Sequence, residues 1–396
     1  MHLSRRIEQI QPSATLTINA LTQELRSRGK EVISLAVGQP DFPTPAHVCE
    51  AAHAAIRDGF TKYTAVPGIP ELREAVAGYF ARFYGVTAGS ENVIVTNGGK
   101  QSLFNLFQSL LNPGDEVLLP APYWVSYPAM IQLAEGKAVF VPTQPEEQFL
   151  VSVEALEACR TPRTRVLLIN TPSNPTGCHY PKAHLDAIAQ WAVDHDLFVI
   201  SDEIYDQLVY PPAEPVSLAP WWEKHPEGFA VVNGLAKSFA MTGWRVGYTL
   251  AHADLIKAMS KIQGQSTSNI CSIAQKAALA ALTGSWEPVD TMRTAFAQRR
   301  TLALNLVRSW PEVVCPEPAG AFYLFPKVDA YYTPEVPDST ALCAYILETA
   351  GVALVPGAAF GDDRCIRISY ALDEQTIARA LEKIEEALMG LKSKKK

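Results

Sequence analysis

The sequence predicts an α/β protein, with a mainly parallel seven-stranded sheet sandwiched by helices in a large domain and a smaller α+β domain beside it. Three observations predict it. Seven short apolar runs, at 93–96, 116–119, 138–141, 166–170, 197–201, 229–232 and 246–250, alternate with helical stretches, the pattern of helices crossing over between parallel strands. Several of these runs end in polar residues or glycines, the position where open α/β sheets build ligand sites. The length of 396 residues exceeds one compact core of ordinary size, so two domains are expected, a large one over 45–290 and a small one from 1–44 and 291–396.

The first informative run is Val93-Ile94-Val95-Thr96, which passes through Asn97, Gly98 and Gly99 into a helix whose Leu103, Leu106, Phe107 and Leu110 form an apolar stripe. Glycines let the backbone approach an anion, and the free N–H groups and dipole of a first helical turn favour negative charge there. Gly98 and Gly99 therefore read as a phosphate seat or, taken alone, as an ordinary tight turn. The run Val166 to Ile169 leads into Asn170-Thr171-Pro172-Ser173-Asn174-Pro175-Thr176-Gly177, ahead of an amphipathic helix from about Lys182 to Val193. A turn explains Pro175 and Gly177 but leaves the Asn174 side chain free to bond a ligand. Next, Leu197 to Ile200 reads as a buried strand ending at Asp202, with Tyr205 three residues on; Asp202 is either an N-cap or a charge at the ligand edge.

Lys237 lies in Asn233-Gly234-Leu235-Ala236-Lys237-Ser238-Phe239-Ala240-Met241-Thr242-Gly243-Trp244-Arg245, among small and largely uncharged neighbours. Such surroundings imply partial burial, which pushes a lysine toward the neutral amine that condenses with a carbonyl. The alternative is a lysine that snorkels from a strand end to water. Together the four segments suit pyridoxal 5'-phosphate. Lys237 takes its carbonyl, Asp202 pairs with its pyridine nitrogen, and Asn174 and Tyr205 hydrogen-bond its phenolic oxygen. Gly98, Gly99 and Arg245 hold its phosphate.

Toward the C-terminus, 321–325 reads as a strand, and Ile377, Leu381, Ile384 and Leu388 share one face of a closing helix. Between them Cys365, Arg367 and Ser369 alternate with Ile366, Ile368 and Tyr370, which puts Arg367 opposite the isoleucines. An arginine fork there matches a substrate carboxylate in two parallel hydrogen bonds; the competing reading is an exposed ion pair.

At this point the chain resembles a fold type I, class I aminotransferase of the bacterial aspartate aminotransferase branch. The likeness is carried in order by Pro12-Ser13-Ala14-Thr15, Val37-Gly38-Gln39-Pro40-Asp41-Phe42, Tyr63, Pro67-Gly68, Gly98-Gly99-Lys100, Pro122-Tyr123-Trp124, Asn174-Pro175-Thr176-Gly177, Asp202-Glu203-Ile204-Tyr205, Lys237 to Arg245, Pro356-Gly357 and Arg367-Ile368-Ser369-Tyr370. What the resemblance implies is a ping-pong amino transfer in which Lys237 holds the cofactor, is displaced by an amino acid, and then carries the proton from its Cα. It also implies that Gly38 and Asn174 complete the α-carboxylate site with Arg367, that Trp124 stacks on the cofactor ring, and that Tyr63 crosses to the phosphate of a partner subunit. A homodimer follows from that family trait.

For the substrate side chain, Lys100 with Ser13 and Thr15 of the N-terminal segment suits a distal carboxylate, which favours aspartate and 2-oxoglutarate; Lys100 serves the phosphate equally well. Relatives that use prephenate carry a lysine just before the Pro-Ser-Ala-Thr, where this chain has Gln11, so prephenate use is not expected. An aminotransferase for aromatic or other amino acids and a β-lyase on the same cofactor are the competing enzyme readings. A non-catalytic ligand sensor is the distant one, since no helix-turn-helix is apparent.

Composition agrees. A net charge of −7 argues against nucleic acid as a partner, and no apolar run approaches a membrane span. The opening Met1-His2-Leu3-Ser4-Arg5-Arg6 has no apolar stretch of the signal-peptide kind, so a cytoplasmic location is expected. Seven scattered cysteines and eight histidines show neither a disulfide framework nor metal-ligand spacing, and no metal is expected.

Overall fold

A computed structural model of the chain describes all residues but 1, 9, 11, 13, 395 and 396, and in addition leaves the side chains of 5, 6, 14–16, 19 and 394 undescribed. Gln11 and Ser13 therefore lie outside the described residues, as does the side chain of Thr15.

Twelve strands occur among the described residues: β1 (Ile33–Ser34), β2 (Val93–Thr96), β3 (Glu116–Ala121), β4 (Lys137–Pro142), β5 (Thr164–Asn170), β6 (Phe198–Asp202), β7 (Phe229–Gly234), β8 (Gly247–Ala251), β9 (Tyr323–Leu324), β10 (Val352–Ala353), β11 (Val355–Pro356) and β12 (Ile366–Ser369). Seven of them form one sheet in the order β2-β8-β7-β6-β5-β3-β4, parallel throughout except at β8, which runs antiparallel to both neighbours. The expected mainly parallel seven-stranded sheet is therefore present.

Alternation along these strands feeds two cores. Leu118, Leu167, Val199 and Val231 point to one face, against helices that include Pro70–Tyr84, Lys182–Asp194 and Ser272–Thr283. Val117, Val166, Leu168, Ile200, Ala230 and Val232 point to the other, against Leu103, Leu106 and Phe107 of the helix Gly99–Leu110. Both faces are covered, which is why the strands read as continuous apolar runs with no period of two.

A third core joins β1, β9, β10 and β12 to the long helices Glu287–Arg308 and Glu374–Lys394. Ile377, Leu381, Ile384 and Leu388 of the closing helix are all buried within it, each contributing about 1.5–3 kcal/mol of apolar burial. The run expected over 321–325 is regular strand only at Tyr323–Leu324. Ala321 takes a left-handed φ of 55° before it, and Pro326, with no N–H to give, follows it.

Register brings the site together. Asn170 at the end of β5 sits opposite Asp202 at the end of β6, Asp202 opposite Val232 in β7, and Gly234 opposite Gly247 where β8 begins. Thr96, the last residue of β2, also faces Gly247. The loops leaving these ends thus share one edge of the sheet, the place where α/β ligand sites form.

Candidate active site

At that edge lies a cavity of about 390 Å³. Gly38, Gly99, Lys100, Trp124, Asn174, Asp202, Tyr205, Lys237, Arg245 and Arg367 all line it, so ten residues singled out along 330 positions of sequence converge on one space. Tyr63 does not line it and is 91% exposed.

Lys237 follows β7 and its Nζ donates to the Gly38 carbonyl at 2.5 Å. Burial, with the guanidinium groups of Arg367 and Arg245 near it, pushes its amine down to about 7, against a smaller opposing pull from Asp202. The ordinary fate of a surface lysine does not apply here, since burial favours the neutral amine.

Asp202 is 5% exposed. Its Oδ2 accepts from the Tyr127 hydroxyl at 2.7 Å, and its Oδ1 accepts from the Ile204 N–H at 3.3 Å. No helix begins at Asp202, because β6 passes into a turn, so the N-cap reading does not hold; the backbone N–H that Oδ1 receives belongs to that turn. Burial raises the carboxyl to about 6, with the Tyr127 and Ile204 hydrogen bonds and Lys237 opposing that rise. Asn170 ties two loops to the same point, donating to the Asp202 carbonyl at 2.9 Å and accepting from the Asn174 N–H at 2.9 Å.

Arg367 is 2% exposed, with no ion pair among the described residues, which sets aside the exposed-pair reading. Its Nη1 donates to Asn174 Oδ1 at 2.9 Å and its Nη2 to the Ala36 carbonyl at 2.7 Å. Its Nε is buried without a partner. The Asn174 side chain, free by the sequence reading, in fact aims the guanidinium. A buried cation held only by neutral oxygens is an anion site in waiting, because an uncompensated charge in a low dielectric is costly.

The residues expected at a phosphate lie together. Gly98 takes a φ of 80°, and a Cβ there would collide with the Arg245 guanidinium; a Cβ on Gly247 would strike the backbone of Gly98 and Gly99. Arg245 itself sits at φ 58°, a conformation costing about 1–3 kcal/mol for a side-chain-bearing residue. It is held there by bonds to the Thr242 carbonyl at 3.0 Å and the Asn97 carbonyl at 3.2 Å. Lys100, one residue into the helix, lies with its Nζ 4.9 Å from the Trp124 ring centre, and burial together with Arg245 lowers its pKa.

The sequence reading missed four residues. Tyr127 and Asn170 support Asp202; Tyr323 bonds Tyr205, hydroxyl to hydroxyl, at 2.8 Å; Gln39 accepts from Thr242 at 3.3 Å. Each looked like core or loop, and only Tyr127, three residues after Trp124 on a short helix, carried a positional hint. Among the described residues no group of three or more His, Cys, Asp or Glu could hold a metal ion, and no helix is long and apolar enough to cross a membrane.

Comparisons with known proteins agree with this geometry. Residues 30–384 match the family model described as aminotransferase class I and II. An aspartate/prephenate aminotransferase of Thermus thermophilus is 46% identical over 98% of this chain and 98% of its own. An asparagine–oxo-acid transaminase of Streptococcus mutans is 42% identical over 97% and 98%. The solved aspartate aminotransferase of Thermus thermophilus with maleate superposes with a TM-score of 0.93 at 45% identity, covering 98% of this chain and all of that one.

Proposed function

This chain belongs to the class I and II aminotransferases and depends on pyridoxal phosphate, and on that premise we propose that it moves the amino group of L-aspartate to 2-oxoglutarate, giving oxaloacetate and L-glutamate. The residues present fit the cofactor. The absence of a Cβ at Gly98 lets the Arg245 guanidinium lie against the chain there, and Gly247 lets β8 pass close to Gly98 and Gly99, so the start of the helix Gly99–Leu110 and Arg245 both line the cavity as an anion site would need. Lys237 would hold the carbonyl end, Asp202 the pyridine nitrogen, Asn174 and Tyr205 the phenolic oxygen, and Trp124 one ring face. When bound, the cofactor supplies an electron sink for the carbanion formed at the substrate's Cα.

The protein's own groups do the rest. Arg367, oriented by Asn174 and the Ala36 carbonyl, receives the α-carboxylate through its free edge. That grip sets the Cα–H bond against Lys237, whose Nζ, unprotonated above about pH 7, takes the proton and holds it for redelivery. The Gly38 carbonyl orients the amine while it waits. Because amino donor and oxo acid acceptor use the same grip in turn, the kinetics are ping-pong.

The observation that carries the substrate is the charge of the lining. Besides Lys237 it holds three cations, Lys100, Arg245 and Arg367, against one carboxylate, Asp202. With Arg245 on the phosphate and Asp202 on the ring, Arg367 and Lys100 remain for two carboxylates. This supports a dicarboxylic donor and acceptor, as do the names of the relatives. The active form on this reading is a cytoplasmic homodimer in which the exposed Tyr63 reaches the partner's phosphate.

The test is a half-reaction: cofactor-loaded protein is mixed with single amino acids and the loss of the visible cofactor absorbance is followed. Aspartate and glutamate are expected to react much faster than phenylalanine, tyrosine or alanine, with asparagine a necessary comparison. Lys100→Met is expected to lower the apparent second-order constant for aspartate about 10- to 100-fold while sparing alanine. If both fall together, Lys100 serves the phosphate and the dicarboxylate assignment loses its support.

A further inference from the structure

Tyr323 is fully buried in β9, next to β12, where Ser369 pairs with it and Arg367 lies two residues away. It touches the site at three points. Its hydroxyl lies 2.8 Å from the Tyr205 hydroxyl, its ring centre is 4.6 Å from the Arg367 guanidinium carbon, and a Cβ at Gly38 would come within 2.9 Å of its oxygen. Tyr205, in turn, is buried, and among the described residues its hydroxyl has no hydrogen-bond partner but Tyr323. The groups facing Tyr205 are Lys237, whose Nζ is 5.6 Å from its ring centre, Asp202, Arg367 and Tyr323.

A phenol has one proton to give and lone pairs to receive. If Tyr323 donates to Tyr205, the Tyr205 proton is left for a ligand in the cavity, and each hydrogen bond in such a chain polarises the next. Burial disfavours the charged phenolate and raises both phenols above their ordinary value, so both stay protonated.

We propose that Tyr323 is a positioning residue that relays a hydrogen bond through Tyr205 to the cofactor's phenolic oxygen, while its ring separately backs the carboxylate grip of Arg367. The proposal rests on the cofactor reading above. Its content is that two functions of one side chain, the hydroxyl on cofactor electronics and the ring on substrate binding, can be separated by removing a single atom.

The test is a spectrophotometric pH titration of the resting, cofactor-loaded protein without substrate, in the wild type, Tyr323→Phe, Tyr205→Phe and the double variant. The relay stabilises a negative oxygen, which lowers the pH at which the visible absorbance changes. Tyr323→Phe is therefore expected to raise that midpoint by about half a unit, the size of one ordinary hydrogen bond. In the Tyr205→Phe background the same change is expected to add nothing. Affinity for the dicarboxylate maleate is expected to stay within about twofold in Tyr323→Phe, because the ring over Arg367 remains.

An unshifted midpoint, or a shift that persists without the Tyr205 hydroxyl, overturns the relay. If Tyr323→Phe does not fold, as judged by circular dichroism, Gly38→Ala crowds the same hydroxyl and is read by the same titration, with the same direction expected. A wild type with no visible cofactor band overturns the functional reading and the relay with it, whereas a normal band with an unshifted variant overturns the relay alone.

Discussion

Lys237→Ala is expected to lower kcat by at least about 10⁴-fold, since it removes both the covalent anchor and the proton carrier. The fold should survive, because Lys237 makes one hydrogen bond, to a backbone carbonyl, and its removal relieves a buried amine. Circular dichroism and thermal melting check that half of the expectation. A second readout needs no turnover. With its amine pushed down to about 7, the apoprotein should capture pyridoxal phosphate at a rate that rises as pH climbs through 7 and then levels, because only the neutral amine attacks. An ordinary lysine would keep gaining toward pH 10. Appreciable transamination by Lys237→Ala, or a capture rate that climbs without levelling, would remove Lys237 from the centre of the mechanism.

Most of the site could be read before the structure because its parts sit at strand ends with local signals. Gly98 and Gly99 before a helix, Asp202 closing an apolar run, and Lys237 among small residues each declare a chemistry within a few positions, and a parallel sheet brings such ends to one edge. What escaped was the layer that aims them. Tyr127 and Tyr323 are aromatic residues in apolar surroundings, indistinguishable in sequence from core. Their hydroxyl partners lie 75 and 118 residues away, Asp202 for one and Tyr205 for the other. Asn174 was expected beside Arg367 at the carboxylate only through the family resemblance, and its direct acceptance from Arg367, 193 residues further on, has no local signal. Contacts of that range depend on which distant segments the tertiary fold brings together, which no local pattern encodes. The fold shows the same division. The seven runs are visible as hydrophobicity, but the reversed direction of β8 depends on the path of the loop from Lys237 to Val246, and short strands such as β1 and β10 have no periodicity to reveal them.

Asp202→Asn is expected to lower kcat about 10²- to 10³-fold while leaving the cofactor bound through the phosphate seat. The substitution is nearly isosteric, and the new amide oxygen can still accept from Tyr127, so geometry is kept and charge alone is lost. The charge matters because it is placed to be used. One oxygen is taken by Tyr127 at 2.7 Å, whereas the other receives only a long bond from Ile204 at 3.3 Å, which leaves it free to meet a protonated ring nitrogen. Burial has pushed this carboxyl up to about 6, more than the hydrogen bonds of Tyr127 and Ile204 and the charge of Lys237 offset. The sign of the pH effect follows. Protonation of Asp202 removes the anion, so cofactor affinity of the wild-type apoprotein should carry a component that weakens as pH falls through about 6, and in Asp202→Asn that component should vanish while the one set by Lys237 near pH 7 stays. Fluorescence titration with pyridoxal phosphate between pH 5 and 8 would measure it. An Asn variant that keeps that component, or that turns over like the wild type, would mean the ring nitrogen is stabilised elsewhere and that Asp202 serves only to hold the turn at Ile204.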